Sequence, residues 1–141
     1  MAVSVLSLIG IFVALYLLLW KVGVLGALAC SSNGCETVQT SEYSDFLGVP
    51  VALYGVAGFV SLLVVSLVGL QPRWLVRREP TILVTVLSGV GVVFSAYLTY
   101  IEASVIDAWC EWCVASAIII AVIFALSLLG LLTWQKNEHE A

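Results

Sequence analysis

The sequence predicts an all-α membrane protein, a four-transmembrane-helix bundle with a long outer loop between helices 1 and 2. Of its 141 residues, 62% are hydrophobic and only 10% are charged. A soluble domain carries roughly 25% charged residues, so most of this protein's surface must face lipid. Four apolar stretches reach the roughly 20 residues that span a bilayer as a helix. We therefore expect one four-helix membrane domain over residues 1–141.

The four apolar stretches give the helices in chain order. They cover residues 3–29, 51–70, 81–106 and 109–134. The first contains Lys21, whose side chain we expect to extend toward the outer membrane surface. The second opens at Pro50, because proline is accepted in the first turn of a helix. Glycines favour close contact between helices in lipid, and five of those in the last three stretches are candidates for such contacts: Gly55, Gly58, Gly89, Gly91 and Gly130.

The loop between the first two helices, residues 30–49, is long and polar. It contains Glu36, Glu42 and Asp45 and no lysine or arginine. Loops of this length in a small protein are often functional. Residues 31–34 are of turn-forming types, and a turn here can bring Cys30 and Cys35 close together. Residues 37–46 are expected to form a short amphipathic segment at the membrane surface.

Basic residues mark the opposite side of the membrane. Arg73, Arg77 and Arg78 lie in the loop 71–80, and Lys136 follows the last helix. The positive-inside rule places these residues in the cytoplasm. Four spans then place both termini in the cytoplasm and all four cysteines on the outer, oxidising side, where disulfides persist. We expect a multi-pass protein of the cell membrane, without nucleic acid among its partners.

The four cysteines form two close pairs, Cys30/Cys35 and Cys110/Cys113. The second pair begins the fourth apolar stretch, so both of its cysteines are expected in the first helical turn. There the helix dipole and the unpaired backbone N–H groups stabilise a thiolate. Dithiol oxidoreductases use a C-x-x-C in this position, where one thiolate attacks a partner disulfide and the second resolves the intermediate. A second pair on the same membrane face strengthens this interpretation.

Two other roles for the cysteines remain open from their spacing. Two static disulfides would make the chain a structural or accessory membrane subunit, although a Cys110–Cys113 bridge closes a small loop that contributes little entropic stabilisation. A zinc site made of all four cysteines agrees with their number. The C-x4-C spacing and the absence of ribbon-like turns disfavour zinc. We therefore predict an enzyme without a metal.

The order of motifs along essentially the whole chain resembles the vitamin K epoxide reductase family, and more narrowly its bacterial and archaeal members. The resemblance is carried by Cys30-x4-Cys35, SEYSDFLGVPVALYG at 41–55, YLTYIE at 97–102 and Cys110-x-x-Cys113. It implies an integral-membrane thiol oxidoreductase that passes electrons from a separate thioredoxin-like protein, similar to disulfide-bond protein A, to a membrane quinone. The quinone would be of the ubiquinone or menaquinone type, and the products would be disulfides in secreted proteins.

The resemblance also implies a role for each cysteine. Cys30 would meet the partner, Cys35 would exchange with Cys110, and Cys113 would face the quinone. Four residues are expected to line the quinone pocket: Ser44, Phe46, Tyr54 and Cys113. The animal enzymes of the family carry Thr-Tyr-Ala shortly after their C-x-x-C, where this chain has residues 114–117, VASA. That difference favours thiol oxidation over epoxide reduction.

Glu102 is a further candidate near the site. It lies near the outer end of the third predicted helix, eight residues before Cys110. Ionisable residues at membrane depth are often functional, so Glu102 is a candidate proton relay. A carboxylate that simply extends to the membrane surface is an equally good interpretation of the sequence.

Overall fold

The computed structural model describes residues 2–24, 26, 37, 40, 42, 45–107 and 109–140. Four long helices follow one another in these residues: α1 Ala2–Lys21, α2 Val51–Gly69, α3 Glu79–Ile101 and α4 Glu111–Glu140. Two short antiparallel strands, β1 Asp45–Phe46 and β2 Val49–Pro50, precede α2, and a π-helical turn, Glu102–Ile106, extends α3.

The helices form a closed bundle in which each helix packs against two neighbours. Both α1 and α3 contact α2 on one side and α4 on the other. The outer faces are apolar, with the side chains of Phe12 and Val93 64% and 71% exposed. A soluble bundle would carry polar residues on these faces. Among the described residues, four helices are long and apolar enough to cross a membrane, which confirms the predicted all-α membrane fold.

Glycine allows close helix contact at three of the five indicated positions. A Cβ atom at Gly91 would lie 2.8 Å from a side chain of α4, closer than real Cβ contacts. Gly55 and Gly89 also face side chains of a neighbouring helix, at 3.4 Å and 3.3 Å from the Cβ position. A Cβ atom at Gly58 or Gly130 would meet no described atom within 4 Å. These two glycines therefore face open space.

The first helix ends earlier than its apolar composition predicts. Gly23 adopts φ +87°, in the left-handed region that glycine reaches without a Cβ penalty. Its N–H donates to the Trp20 carbonyl, and the N–H of Val24 donates to the Leu19 carbonyl, at 3.1 Å and 3.0 Å. This pair of bonds is the Schellman arrangement that closes helix C-termini. The helix therefore stops at Lys21, and the predicted continuation is wrong at residues 22–24.

A tight hairpin leads into the second helix. Leu47 and Gly48 connect the two strands with φ of 56° and 78°, as a two-residue type I′ turn requires. Lys21 forms an ion pair with Asp45 at 3.6 Å, which joins the end of α1 to the start of the hairpin. The amphipathic helical segment predicted over residues 37–46 is wrong at its end, because its last two residues form β1. Pro50, which was expected in the first turn of α2, is instead the N-cap residue just before that turn.

The other helices begin within two residues of their predicted starts, but α4 continues past its predicted end at residue 134 to Glu140. A hydrophobicity pattern ends at the membrane surface, whereas a helix continues wherever its residues favour helix. The polar residues 135–140 include good helix formers. Two ion pairs involve this extension. Glu138 pairs with Arg78, just before α3, at 3.3 Å, and Glu140 pairs with Lys136 at 3.9 Å.

Candidate functional site

The C-x-x-C motif lies at the N-terminus of α4. Cys110 is the residue just before the helix, and its carbonyl accepts the first intrahelical bond, from the N–H of Val114 at 3.0 Å. Cys113 is the third helical residue. The prediction of a first-turn dithiol is thus confirmed for Cys113, with Cys110 adjoining that turn. Both sulfurs lie beside the positive end of the α4 dipole, and the Cys110 side chain is fully buried.

The segment that precedes Cys110 folds back onto the end of α3. The π-helical turn Glu102–Ile106 is followed by Asp107, whose φ of 56° places it in the left-handed region that aspartate tolerates. The reversal brings the Cys110 N–H to the Glu102 Oε2 atom at 3.3 Å. Single π-turns are found frequently at functional sites. Here the turn positions a carboxyl group against the dithiol.

Glu102, Cys110 and Cys113 form one interacting group. The Cys113 thiol lies beside the Glu102 carboxyl and the Cys110 side chain, close enough to interact with both. Glu102 is 4% exposed, so the interpretation of a carboxylate extended to the membrane surface is wrong. A buried carboxyl in contact with a thiol can accept the thiol proton when the sulfur becomes nucleophilic. The arrangement therefore contains a dithiol and a proton acceptor in direct contact.

An apolar cavity of about 160 Å³ adjoins this group, between the four helices. The residues that line it include Tyr54, Gly58, Phe59, Phe94, Glu102 and Cys113. The rings of Tyr54 and Phe94 lie 6.2 Å apart between centroids and tilted by 59°. Glu102 and Cys113 thus form the polar part of a mostly aromatic and aliphatic wall. This is the composition expected of a small-molecule site.

The predicted site residues divide into those that the structure brings together and those outside its described part. Tyr54 and Cys113 line one cavity, and Cys110 lies beside it. The strand β1 contains the backbone of Phe46, whose side chain is outside the description. Three predicted residues lie outside the described residues: Cys30, Cys35 and Ser44. Their roles remain predictions.

Several residues of the cavity carry no sequence signal that separates them from ordinary core residues. Phe59 and Phe94 are aromatic residues within long apolar stretches, and Gly58 was noted only as a small residue for helix contact. Trp112, which lies between the two cysteines, packs on Tyr16 of α1 with ring centroids 5.0 Å apart. The rotation of each helix about its axis determines which of its residues face the cavity. The composition of an apolar helix does not reveal that rotation.

Metal binding is not supported by the described part of the site. No group of three or more His, Cys, Asp or Glu side chains with the arrangement of a metal site occurs among the residues that the structure covers. A four-cysteine zinc site would need Cys30 and Cys35, which are not among them.

Fold and site define a class of protein: a multi-pass membrane protein with a buried dithiol next to a cavity between its helices. The chain matches the Vitamin K epoxide reductase family over residues 1–128, and it belongs to that family. The matched region includes both cysteine pairs and three complete helices. The protein is accordingly a membrane oxidoreductase that acts through thiols.

Proposed function

We propose that this protein is a quinone-dependent thiol oxidase. It would pass electrons from a separate thioredoxin-like protein through Cys30/Cys35 and then Cys110/Cys113 to a membrane quinone, and so generate disulfides for secreted proteins. One observation carries the proposal: the interacting side chains of Cys113 and Glu102 lie together in the wall of an apolar cavity within the membrane bundle.

The cavity fits the head group of a quinone. An apolar cavity of about 150 Å³ accommodates a benzene ring, and this one measures about 160 Å³. The tilted rings of Tyr54 and Phe94 offer faces and edges against which a planar ring packs favourably. A bound quinone supplies an acceptor for two electrons and two protons. The residues that would hold it are Tyr54, Phe94 and Cys113.

The residues beside the cavity account for dithiol oxidation. Closing the Cys110–Cys113 disulfide breaks two S–H bonds, forms one S–S bond and releases two electrons and two protons. Glu102 is positioned to take the proton of the Cys113 thiol, because the two side chains lie next to each other in the cavity wall. The Cys110 N–H bond to Glu102 Oε2 holds the other sulfur next to Cys113. Exclusion of water by the surrounding helices protects the reacting sulfurs from side reactions.

The two helices that flank the loop with Cys30 and Cys35 both contact Cys110, which supports exchange between the pairs. Leu17 of α1 and Ala52 of α2 form one buried cluster with Cys110. Leu17 lies one turn before the end of α1 at Lys21, and the hairpin leads directly to Ala52. The Lys21–Asp45 ion pair fixes the hairpin end at the same place. We propose that Cys35 reaches Cys110 from these anchors.

The direction of the protein in the membrane follows from its charges. The basic residues of the 71–80 loop and of the end of α4 lie at the end of the bundle away from the dithiol. We propose that this end and both termini are cytoplasmic, with the cysteines on the outer face of the cell membrane. After mild reduction, a membrane-impermeant thiol reagent should label Cys30 or Cys35 in intact cells. Labelling that appears only after lysis would contradict this orientation.

Trapping of the exchange intermediate tests the relay. A Cys30→Ala, Cys113→Ala double variant lacks both resolving thiols, so it should accumulate a Cys35–Cys110 disulfide. Mass spectrometry of a non-reduced digest detects that cross-link. The matched control is Cys30→Ala, Cys110→Ala, which leaves Cys35 and Cys113 and should give far less cross-linking. If Cys35 and Cys110 stay reduced in the first variant under oxidising conditions, the protein is better described as a subunit braced by static disulfides.

A further inference from the structure

A second groove lies at the arginine end of the bundle, opposite the dithiol. It has a volume of about 290 Å³ and is lined by residues of all four helices and of the loop that joins α2 to α3. Val65, Val84 and Leu126 form its apolar part. Arg77, with its exposed side chain, and the half-buried Trp134 lie among its polar and aromatic lining residues. The groove therefore combines an apolar channel with a cationic end.

Two serine hydroxyls of the groove are already hydrogen-bonded inside the protein. The Ser66 hydroxyl pairs with that of Ser4 at 2.6 Å, and the Ser127 hydroxyl donates to the Phe124 carbonyl at 2.9 Å. A Cβ atom at Gly130 would meet no described atom within 4 Å. The channel thus offers space and apolar surface, which suits a hydrocarbon chain better than a polar ligand.

The charge of Arg77 is available at the end of the groove. Its guanidinium lies 5.3 Å from the centre of the Trp74 ring, a cation–π arrangement. Within the described part of the chain, no carboxylate lies within salt-bridge distance of Arg77, whereas the adjacent Arg78 is paired with Glu138. The structure therefore separates one arginine that is neutralised internally from one that is not.

We propose that this groove binds one anionic phospholipid, with an acyl chain between α2, α3 and α4 and the phosphate on Arg77. Guanidinium groups bind phosphate with two parallel hydrogen bonds, and tryptophans such as Trp74 and Trp134 prefer the headgroup level of a membrane. Basic pockets between transmembrane helices bind anionic lipid headgroups. The site is separate from the redox cavity and does not depend on the proposed function.

A second copy of the chain is a poorer occupant, because it would bring the same arginine-rich loop against Arg77. Two of the carboxylates at this end, Glu138 and Glu140, are already paired with Arg78 and Lys136. Contact between two copies here would therefore place like charges together. An anionic lipid brings the opposite charge and is abundant in the surrounding membrane.

Native mass spectrometry of delipidated protein tests the site, with dioleoylphosphatidylglycerol and dioleoylphosphatidylcholine as matched probes. We expect one phosphatidylglycerol to bind in preference to phosphatidylcholine. Arg77→Ala should weaken phosphatidylglycerol binding about fivefold, the effect of one basic residue near an anionic surface. Arg73→Ala removes an arginine of the same loop that does not line the groove, so it should leave binding unchanged. Gly130→Leu should abolish binding by filling the channel.

Four results would overturn the proposal. Equal loss in Arg73→Ala and Arg77→Ala would mean that only diffuse surface charge attracts the lipid. Phosphatidylcholine carries the same phosphate next to a choline cation, so its equal binding would remove the role of the lipid's net negative charge. A dimer that Gly130→Leu dissociates would identify a second copy as the occupant. Binding of inorganic phosphate with the same sensitivity to Arg77→Ala and no sensitivity to Gly130→Leu would show an anion site without an acyl chain.

Discussion

The two cavities of this bundle differ in the sign and burial of their charged residue. At the dithiol end, the acidic Glu102 is 4% exposed and lies next to Cys113 in the cavity wall. At the other end, the basic Arg77 is exposed at the edge of a groove whose interior is apolar. The cavities are formed by the same helices, so the difference arises from the few polar residues placed at each end.

Burial separates the two kinds of role. A buried carboxyl group in contact with a thiol can move a proton during a reaction, because water does not compete for that proton. An exposed guanidinium cannot protect a reaction from water, but it can hold an anion that arrives from the membrane surface. The difference in burial therefore supports the two proposals, thiol oxidation at the Glu102 end and phospholipid binding at the Arg77 end.

The largest expected effect is that of removing the thiol that faces the cavity. Cys113→Ala should lower quinone-linked thiol oxidation roughly 10³-fold or more, as loss of a nucleophile does in other enzymes. Quinone reduction by the purified variant, followed spectroscopically with a reduced thioredoxin-like donor, measures this. Thr133→Ala, a polar-to-alanine change at an exposed position of the same helix, should retain full activity. Substantial turnover in Cys113→Ala would exclude Cys113 as the thiol that faces the quinone.

Glu102 should contribute a smaller factor, of about 10² in turnover, the lower end of the range for a positioned acid or base. Glu102→Gln keeps an oxygen that can accept the Cys110 N–H bond but cannot take a proton. We expect its turnover to fall while its thermal unfolding midpoint stays near that of the wild type. Glu102→Ala should also lose about 1–3 kcal/mol of stability, because the buried Cys110 N–H loses its acceptor.

Comparison of the two Glu102 variants separates proton transfer from simple support of the fold. If Glu102→Gln is as unstable as Glu102→Ala, the carboxyl is structural. If Glu102→Gln turns over at the wild-type rate, another group accepts the proton.

Two glycines allow the cavities to be blocked one at a time. Gly58→Leu should fill the dithiol-end cavity and raise the KM for quinone about tenfold or more, the effect of one or two methylene groups in a pocket. Gly130→Leu makes the same change in the other groove and should leave that KM unchanged while it removes the bound phospholipid. Steady-state kinetics and native mass spectrometry on both variants give the four measurements. Equal effects of both variants on KM would mean that the two cavities are not independent.

The smallest expected effect concerns the ion pairs at the two ends. Lys21–Asp45 has side chains 20% and 49% exposed, against 51% and 55% for Arg78–Glu138. Surface pairs contribute roughly 0–1 kcal/mol, and solvent screening weakens them. Double-mutant cycles on thermal unfolding should therefore give a coupling below about 1 kcal/mol for each pair, larger for Lys21–Asp45. A larger coupling at Arg78–Glu138 would contradict this order.

The sequence predicts the four membrane-spanning helices of the described residues and the start of α4. Both depend on local features of the chain. Hydrophobicity over some twenty residues identifies a span, and the C-x-x-C marks where α4 begins. The end of α1 was missed, since the apolar residues continue past Gly23 while its backbone conformation closes the helix. A pattern of composition cannot report that conformation.

The site was only partly predictable for a related reason. Tyr54 and Cys113 were expected to share a pocket from the family resemblance, and they line one cavity. Phe94 and Gly58 were not expected there, because they come from different helices and meet only through the packing of the bundle. The bond between Glu102 and the Cys110 backbone depends on a π-helical turn that no residue pattern in the sequence indicates.

Oxidation of the Cys110–Cys113 pair by a quinone, in the absence of the other two cysteines, tests the central claim most directly. A Cys30→Ala, Cys35→Ala variant, fully reduced under anaerobic conditions, should be mixed with one equivalent of a short-chain quinone. Thiols are then counted by alkylation and mass spectrometry at successive times. We expect a Cys110–Cys113 disulfide to form as fast as it does in the wild type, with one quinone reduced per disulfide. If this pair stays reduced while the wild type oxidises Cys30 and Cys35, electrons do not leave through Cys113.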